Sequence, residues 1–205
     1  MSANKKIPPH RQQLCERIID TAMIAFTAQG IRAVRMDDIA KQLGISKRTL
    51  YELYETKEEL LFEGVYHRHN KRKRSMMALV EEGHGVMEIV LEAYRQQMEE
   101  IKVTVPQFYD DLKKYPRVLQ MLEEEKKYNR QRFTEFLRRG ISEGFFRSDL
   151  NYDLVPLMFD AIGHYIMSQG LYRHYDIEQV FKSLVFTSLR GICTAQGAKA
   201  LDEGL

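Results

Sequence analysis

The sequence IAKQLGISKRTLYELYETKEEL, residues 39–60, contains two short helical patterns separated by a glycine. Apolar Ile39 and Leu43 recur at helical spacing before Gly44, and a second helical run begins after Ser46. Glycine readily adopts the left-handed conformation that ends a helix, and serine is a favoured N-cap. The stretch therefore predicts two helices joined by a tight turn.

The second of these helices separates polar donors from apolar side chains. Lys47, Arg48 and Tyr51 share its outer face, whereas Leu50 and Tyr54 are placed to pack on a preceding helix. In a helix-turn-helix the second helix enters the DNA major groove, where arginine can bind guanine O6 and N7. We therefore predict that Lys47, Arg48 and Tyr51 contact DNA, each through either a base or a phosphate.

Further groups are predicted at the level of the DNA backbone. Thr49 and Tyr51 supply hydroxyls, and Lys57 supplies an ammonium group that is expected to point outward. Thr56 is the expected N-cap of the next helix, whose first N–H groups can also bind phosphate.

Charge is distributed unevenly along the 205 residues. Residues 1–74 hold 15 Lys and Arg against 9 Asp and Glu, and the remainder holds 16 against 20. A basic N-terminal third indicates a polyanionic partner, although solvated surfaces are often as asymmetric. The basic run HRHNKRKR (67–74) fits a second DNA contact or a solvated helix face, and the second interpretation is favoured.

Several function classes lack a signature in this sequence. It contains no glycine-rich phosphate loop, no nucleophile elbow and no metal-spaced ligand set, so we expect neither an enzyme nor a cofactor or metal site. Cys15 and Cys193 stand apart and are expected to be reduced, buried thiols. No run approaches the roughly 18 apolar residues of a membrane span, and residues 1–13 lack a signal-type apolar stretch. We therefore expect a cytoplasmic protein with no membrane partner.

Pro and Gly divide the chain into about nine helical segments, and no segment alternates as a strand does. The fold class predicted is all-α, with an N-terminal domain at 1–56 and a second domain at 57–205. The helices predicted in the second half are 86–103, 106–114, 116–144, 151–171 and 176–197.

The segment MDDIAKQLGISKRTLYELYETKEELL (36–61) resembles the DNA-binding signature of TetR-family transcriptional regulators, and the resemblance extends over residues 11–65. The positions that fall on the family pattern are Ile39, Ala40, Gly44, Ile45, Ser46, Thr49, Leu50, Tyr51, Tyr54, Lys57 and Leu60. The resemblance implies a three-helix DNA-binding domain followed by a helical domain for ligand binding and dimerisation. It also implies a homodimer that binds a near-palindromic operator, with a small-molecule effector that releases it, acting as repressor or activator.

Two residues depart from the family pattern. Arg35 stands where the family often has a Thr or Ser cap, which makes Arg35 a candidate phosphate contact. Glu52 lies near the expected groove face, where it either accepts a hydrogen bond from a cytosine amine or pairs with a neighbouring lysine. Two alternatives to a sequence-specific regulator stay open. One is a sequence-tolerant architectural DNA-binding protein, and the other is a helical interaction module without DNA binding, which Glu52 and the missing cap would suit.

The resemblance further implies that part of the C-terminal aromatic and methionine set lines an effector cavity, although each such residue alone is more typical of a core. The candidates are Tyr94, Met98, Phe108, Met121, Tyr128 and His164. In the last predicted helix, small residues recur every four positions at Ser183, Thr187, Gly191 and Ala195. Such a stripe allows close approach of another helix, within the chain or across a dimer. The resemblance implies dimerisation through the last two helices.

Overall fold

The computed structural model describes residues 9–204, and every regular element in this range is a helix. The all-α prediction is confirmed. None of the described helices has both the length and the apolar composition that a membrane span requires; the N-terminal residues 1–8, used above for the signal-sequence expectation, lie outside the described range. The helices are α1 (Pro9–Gln29), α2 (Met36–Leu43), α3 (Lys47–Leu53), α4 (Lys57–Glu81), α5 (Val86–Val103), α6 (Pro106–Leu112), α7 (Pro116–Ser142), α8 (Val155–Gln169), α9 (Ile177–Val180), α10 (Thr187–Gly191) and α11 (Ala195–Glu203), with a 3₁₀ turn at Leu171–Arg173 and a π-helical segment at Phe181–Phe186.

The helices form two compact units. The first comprises the described residues up to Lys71 together with Gln107–Met121, and the second comprises Arg72–Pro106 and the residues from Leu122 onward. This division differs from the predicted boundary between residues 56 and 57. The N-terminal part of α4 and all of α6 except Pro106 belong to the first unit.

The core of the first unit explains why its boundary lies within α4. Ile18 and Phe26 on α1 are fully buried, as are Leu60 and Leu61 on the first turns of α4. Gly64 lies so close to the side chain of Met23 that an added Cβ would collide with it. The start of α4 is therefore part of the core that holds α1, and it cannot be separated from the helices before it.

The turn after α1 is fastened by α6. Gly30 ends α1 in the left-handed conformation, with φ of +86°. A Cβ at this position would lie 3.0 Å from the Cβ of Gln107. The buried carboxylate of Asp111 accepts a 2.8 Å hydrogen bond from the backbone N–H of Arg32. These contacts give α6 a structural role beside the turn that leads into α2.

The C-terminal helices of the second unit differ from the prediction. The helical run from Ile177 ends at Gly191 instead of continuing to 197, and α11 begins after Thr194. The Thr194 hydroxyl accepts a hydrogen bond from the Gly197 N–H, and the backbone N–H of Thr194 donates to the Phe145 carbonyl at 2.9 Å. This tie to the loop after α7 breaks the helix, so Ala195 does not extend the stripe of small residues.

Candidate functional site

The helix-turn-helix has the predicted caps. Gly44 ends α2 with φ of +67°, and the Ser46 hydroxyl accepts a 3.0 Å hydrogen bond from the Thr49 N–H. The Thr56 hydroxyl likewise accepts from Glu59 N–H at the start of α4. On the inner side of α3, Leu50 is fully buried. Local signals in the sequence therefore define both ends of the turn and the direction in which α3 packs.

The outer face of α3 presents three of the predicted DNA contacts to solvent. Lys47 and Arg48 are exposed, with 86% of the Arg48 side chain accessible, and 45% of Tyr51 is accessible. Lys47 and Arg48 stand at the N-terminal end of the helix, which is the end that reads base edges in a helix-turn-helix, and Tyr51 lies one turn further along.

Both cations on this face are held by carboxylates. The Lys47 ammonium forms an ion pair with Asp37 on α2, and Arg48 Nε donates a 2.8 Å hydrogen bond to Glu52 Oε1. The hydrogen bond to Asp37 raises the pKa of Lys47, and the bond to Glu52 raises the pKa of Arg48. Glu52 thus pairs with an arginine of its own helix rather than with a lysine. Contact with DNA through these two cations requires exchange of a carboxylate partner for a phosphate or base.

Thr49 and Arg35 occupy supporting positions beside this face. The Thr49 hydroxyl lies 2.8 Å from the Ser46 hydroxyl, so it is engaged at the helix cap. The exposed Arg35 is the N-cap residue of α2, and its side chain makes no capping bond. The Asp38 carboxylate accepts a 3.3 Å hydrogen bond from the Arg35 backbone N–H.

Lys57 does not point outward as the sequence analysis expected. Its ammonium donates hydrogen bonds to the backbone carbonyls of Ile31 at 2.9 Å, Val34 at 2.9 Å and Arg32 at 3.4 Å. Partial burial lowers the pKa of this ammonium. Because those carbonyls have no partner in a helix, the lysine closes the turn between α1 and α2. Its charge is therefore directed at the turn of residues 31–34.

The second unit contains a cavity of about 520 Å³. Its wall is mostly apolar, and the residues come from α4, α5, α7, the loop after α7, α8 and the 181–189 segment. The apolar wall residues are Met76, Met77, Val80, Ile89, Val90, Ala93, Tyr94, Phe133, Phe136, Leu137, Phe146, Phe159, Phe181, Val185, Phe186 and Leu189. This volume lies within the range of small-molecule sites, which are mostly apolar with a few polar groups.

The polar wall residues of the cavity come from three helices. They are Arg72 and Lys73 on α4, Gln97 on α5, and Asn129 and Arg132 on α7. Arg72 forms an ion pair outside the wall with Glu100. Lys73 Nζ lies 3.2 Å from Glu125 Oε2.

The chain also matches known proteins. Residues 18–63 match the family model described as "Bacterial regulatory proteins, tetR family", and this segment contains α2 and α3. The HTH-type transcriptional repressor KstR2 of Mycobacterium tuberculosis is 28% identical over 149 residues, which cover 67% of this chain and 72% of KstR2. This chain is a TetR-family transcriptional regulator.

Solved structures share the fold of this TetR-family regulator. A putative transcriptional regulator from Saccharomonospora viridis, solved in complex with choline, has a TM-score of 0.64 at 18% identity, covering 89% of this chain and 99% of that one. The ketosteroid transcriptional regulator KstR2 of M. tuberculosis has a TM-score of 0.56 at 22% identity, covering 88% and 95%. At these identities the likeness establishes the architecture alone.

Of the six residues predicted to line an effector cavity in this TetR-family chain, Tyr94 stands in the wall. Phe108 and Met121 are buried in the other unit, and Met98 is buried on α5 without being part of the wall. Tyr128 is 68% exposed on α7, and His164 is exposed on α8. Helical periodicity identifies inward-facing residues but cannot tell which of them border a void.

Sequence reasoning missed the basic side of the cavity. The run at 67–74 was interpreted as a solvated face, yet Arg72 and Lys73 belong to the wall. The signal was their position one turn before Met76 and Met77 on the same helix, since residues four apart share a face. Arg132, on α7, had no comparable signal in the sequence.

Small and apolar side chains are exposed along the C-terminal helices of this regulator. Ser183, Thr187 and Gly191, predicted as dimer contacts, are all exposed in the single chain. The neighbouring α8 exposes 44% of Leu157 and 55% of Tyr165. The helix therefore presents apolar area to solvent that a second helix can cover.

Proposed function

We propose that this chain is a homodimeric, cytoplasmic repressor that binds a near-palindromic operator and releases it when a small molecule occupies the cavity. Regulation of transcription, without an enzymatic activity of its own, is the role proposed. The observation that carries the proposal is the amphipathic character of α3 within a capped helix-turn-helix. Its outer face exposes the hydrogen-bond donors Lys47, Arg48 and Tyr51, and its inner face is buried through Leu50.

The proposed DNA contacts are divided between bases and backbone. Arg48 and Lys47, at the start of α3, are proposed to reach base edges or the adjoining phosphates, and Tyr51 lies one turn further on the same face. Thr49 and Arg35 are proposed to contact phosphates. Lys57 is removed from the set first predicted, because its three hydrogen bonds direct it into the turn after α1.

Repression is favoured over activation by the relative found for this chain. KstR2 of M. tuberculosis is named a transcriptional repressor, and its match extends well beyond the helix-turn-helix segment of 18–63. A repressor needs only to occupy its operator, and the exposed face of α3 is sufficient for that. No further surface for activation is required.

Effector release is proposed to act through α4. Leu60 and Leu61 of this helix are buried in the first unit, which contains α3. Met76, Met77 and Val80 of the same helix line the cavity. A ligand shifts an equilibrium only by as much as it prefers one state over another. We propose that the ligand favours a dimer in which the two recognition helices are no longer spaced for the operator, so that DNA and ligand bind with negative coupling.

The proposed dimer interface joins two neighbouring elements of the second unit. The α8 helix contacts the π-helical segment Phe181–Phe186, which leads into α10. We propose that these elements pack against the same elements of a second copy. Helix α8 would contribute the exposed Leu157 and Tyr165, and the π-helical segment and α10 would contribute the small residues Ser183, Thr187 and Gly191. Small side chains permit close helix approach.

Selection of bound sequences from a random double-stranded DNA pool, at about 150 mM salt, tests the DNA-reading part of the proposal. Recovery of an inverted repeat is expected. Arg48→Ala should relax the preference at one symmetric pair of positions, whereas Arg138→Ala, an exposed arginine of α7, should leave the motif unchanged. Binding without any recovered motif would instead favour an architectural protein, and no binding in any state would favour an interaction module.

A further inference from the structure

We propose that the ligand of the cavity is an amphipathic monoanion, with an apolar body and a single anionic head group of carboxylate type. This inference rests on the proposed function, since it names the class of effector that the same cavity takes. It is carried by the charges in and around the wall and by the cavity's size.

The wall contains cations and no anions. Its 21 residues include three that carry positive charge, Arg72, Lys73 and Arg132, and none is an aspartate or glutamate. Gln97 and Asn129 add neutral side-chain amides to the wall. A cationic ligand in this cavity would lose water and gain no opposite charge from the wall, which makes such a ligand unfavourable.

Two of the three cations have carboxylate partners outside the wall. Arg72 pairs with Glu100 and also donates a 3.1 Å hydrogen bond to Gln97 Oε1. Lys73 pairs with Glu125, which in turn lies 3.3 Å from the Asn129 amide nitrogen. These pairs leave the positive charges of Arg72 and Lys73 largely compensated before any ligand arrives.

The third cation differs from the other two. Arg132 Nη1 lies 3.7 Å from the Met77 sulfur, and its guanidinium is 5.9 Å from the centre of the Tyr128 ring. Within residues 9–204, no carboxylate lies at ion-pair distance from Arg132. The wall therefore carries an excess of one positive charge at a group whose planar N–H fork matches a carboxylate.

Ligand binding would make this excess charge more important. A neutral apolar ligand that covered Arg132 would remove water from the guanidinium and give it nothing in return. A carboxylate placed there would instead form a charge-assisted, bidentate hydrogen bond while the apolar body lies among the phenylalanine and methionine side chains.

The volume sets the size of the body. A liquid volume of roughly 30 Å³ per water-sized atom group gives on the order of 17 non-hydrogen atoms for a cavity of about 520 Å³. Linear acids of about a dozen or more carbons fall in this range, as do fused-ring acids of similar size. Both shapes are therefore included among the probes below.

The test compares head groups on one body. Dodecanoate, 1-dodecanol and dodecyltrimethylammonium, all below their micellar or solubility limits, would be measured by displacement of 1-anilinonaphthalene-8-sulfonate from the full-length protein, with 2-naphthoate as a fused-ring anion of similar size. We expect at least one of the two carboxylates to bind, the anion to bind about tenfold tighter than the matched alcohol, and the cation to bind most weakly.

The assignment to Arg132 is tested with a matched pair of variants on α7. Arg132→Gln should reduce the preference for dodecanoate over dodecanol to less than about threefold while dodecanol affinity stays unchanged, which also verifies that the cavity is intact. Arg138→Gln, at an exposed arginine outside the wall, should retain the full preference. Equal binding of acid and alcohol, tighter binding of the cation, no binding of either carboxylate, or an undiminished preference in Arg132→Gln would each overturn the inference.

Measurement of operator binding on the same samples separates this inference from the proposed function. If dodecanoate binds through Arg132 but leaves the DNA complex intact, the ligand class stands and effector release by that cavity fails. If operator DNA binds normally while neither carboxylate is bound, the DNA-reading function stands and the ligand class is wrong.

Discussion

Replacement of Lys57 by methionine separates a structural lysine from a DNA-binding one. The side chain stays apolar and flexible along its length but loses the ammonium that now bonds the carbonyls of Ile31, Arg32 and Val34. If Lys57 fastens the turn, the variant should lose stability in the first unit and keep its electrostatic contribution to DNA binding. A phosphate contact predicts the reverse.

The expected loss of stability follows from the bonds that are removed. A hydrogen bond from a charged group contributes about 1.5–3 kcal/mol, and here one ammonium serves two carbonyls at 2.9 Å and a third at 3.4 Å. The three bonds together are expected to contribute less than three times this value. The wild-type protein must partly desolvate the Lys57 ammonium, as the lowering of its pKa by burial indicates, and the variant avoids that cost. We expect a loss of about 2 kcal/mol in the opening free energy of the turn and the helices beside it.

Hydrogen exchange measured by mass spectrometry reports this opening directly. A loss of about 2 kcal/mol corresponds to roughly 30-fold faster exchange in peptides that cover the 30–45 region, and peptides from the second unit should change little. Lys41→Met, at an exposed lysine of α2, is the control and should leave protection unchanged.

The salt dependence of operator binding gives the second readout. Each phosphate neutralised contributes about −0.9 to the slope of log K against log salt, so loss of one contact per protomer should reduce the slope of a dimer by about 2. We expect this reduction for Lys47→Met and an unchanged slope for Lys57→Met. If Lys57→Met reduced the slope while its hydrogen exchange stayed normal, the structural role assigned to Lys57 would be refuted.

Three further predictions concern other parts of the chain. Burial raises the pKa of the Cys193 thiol to about 11, compared with about 8.5 when exposed, so at pH 8 its alkylation should be roughly 200-fold slower in the folded than in the urea-unfolded protein; similar rates by mass spectrometry would contradict this. Gly197→Ala should lower the free energy of unfolding by about 1–3 kcal/mol in urea titrations, because a Cβ would collide with a backbone carbonyl, whereas the exposed Lys199→Ala should change it by less than about 0.5 kcal/mol. Glu52→Gln removes the negative charge that pairs with Arg48 and should raise affinity for random-sequence DNA on the order of tenfold in gel-shift assays, and an unchanged affinity would argue that the ion pair does not restrain this face.

The helix-turn-helix was predictable from sequence because the residues that define it lie close together in the chain. Gly44, Ser46 and Thr56 each define a helix end through contacts within a few residues, and the inward position of Leu50 follows from helical spacing. These features depend little on the rest of the chain, so a short stretch of sequence contains nearly all the information that forms them.

The features that sequence reasoning missed depend on distant residues. Lys57 bonds carbonyls that lie 23 to 26 positions earlier, and no periodicity within α4 indicates that direction. The cavity wall brings Arg72 and Arg132 together from helices far apart in sequence. At the C-terminus, the tie from Thr194 to Phe145 ends a helical pattern that would otherwise continue.

The spacing of the two half-sites tests most directly whether a symmetric dimer of this chain reads operator DNA. The inverted repeat recovered by selection would be compared, by fluorescence anisotropy at fixed salt, with the same repeat carrying five extra base pairs at its centre. That insertion rotates one half-site by about half a helical turn, so two recognition helices can no longer enter both major grooves together. We predict that affinity falls to the level of a single half-site, whereas equal affinity for the two duplexes would contradict the dimeric reader.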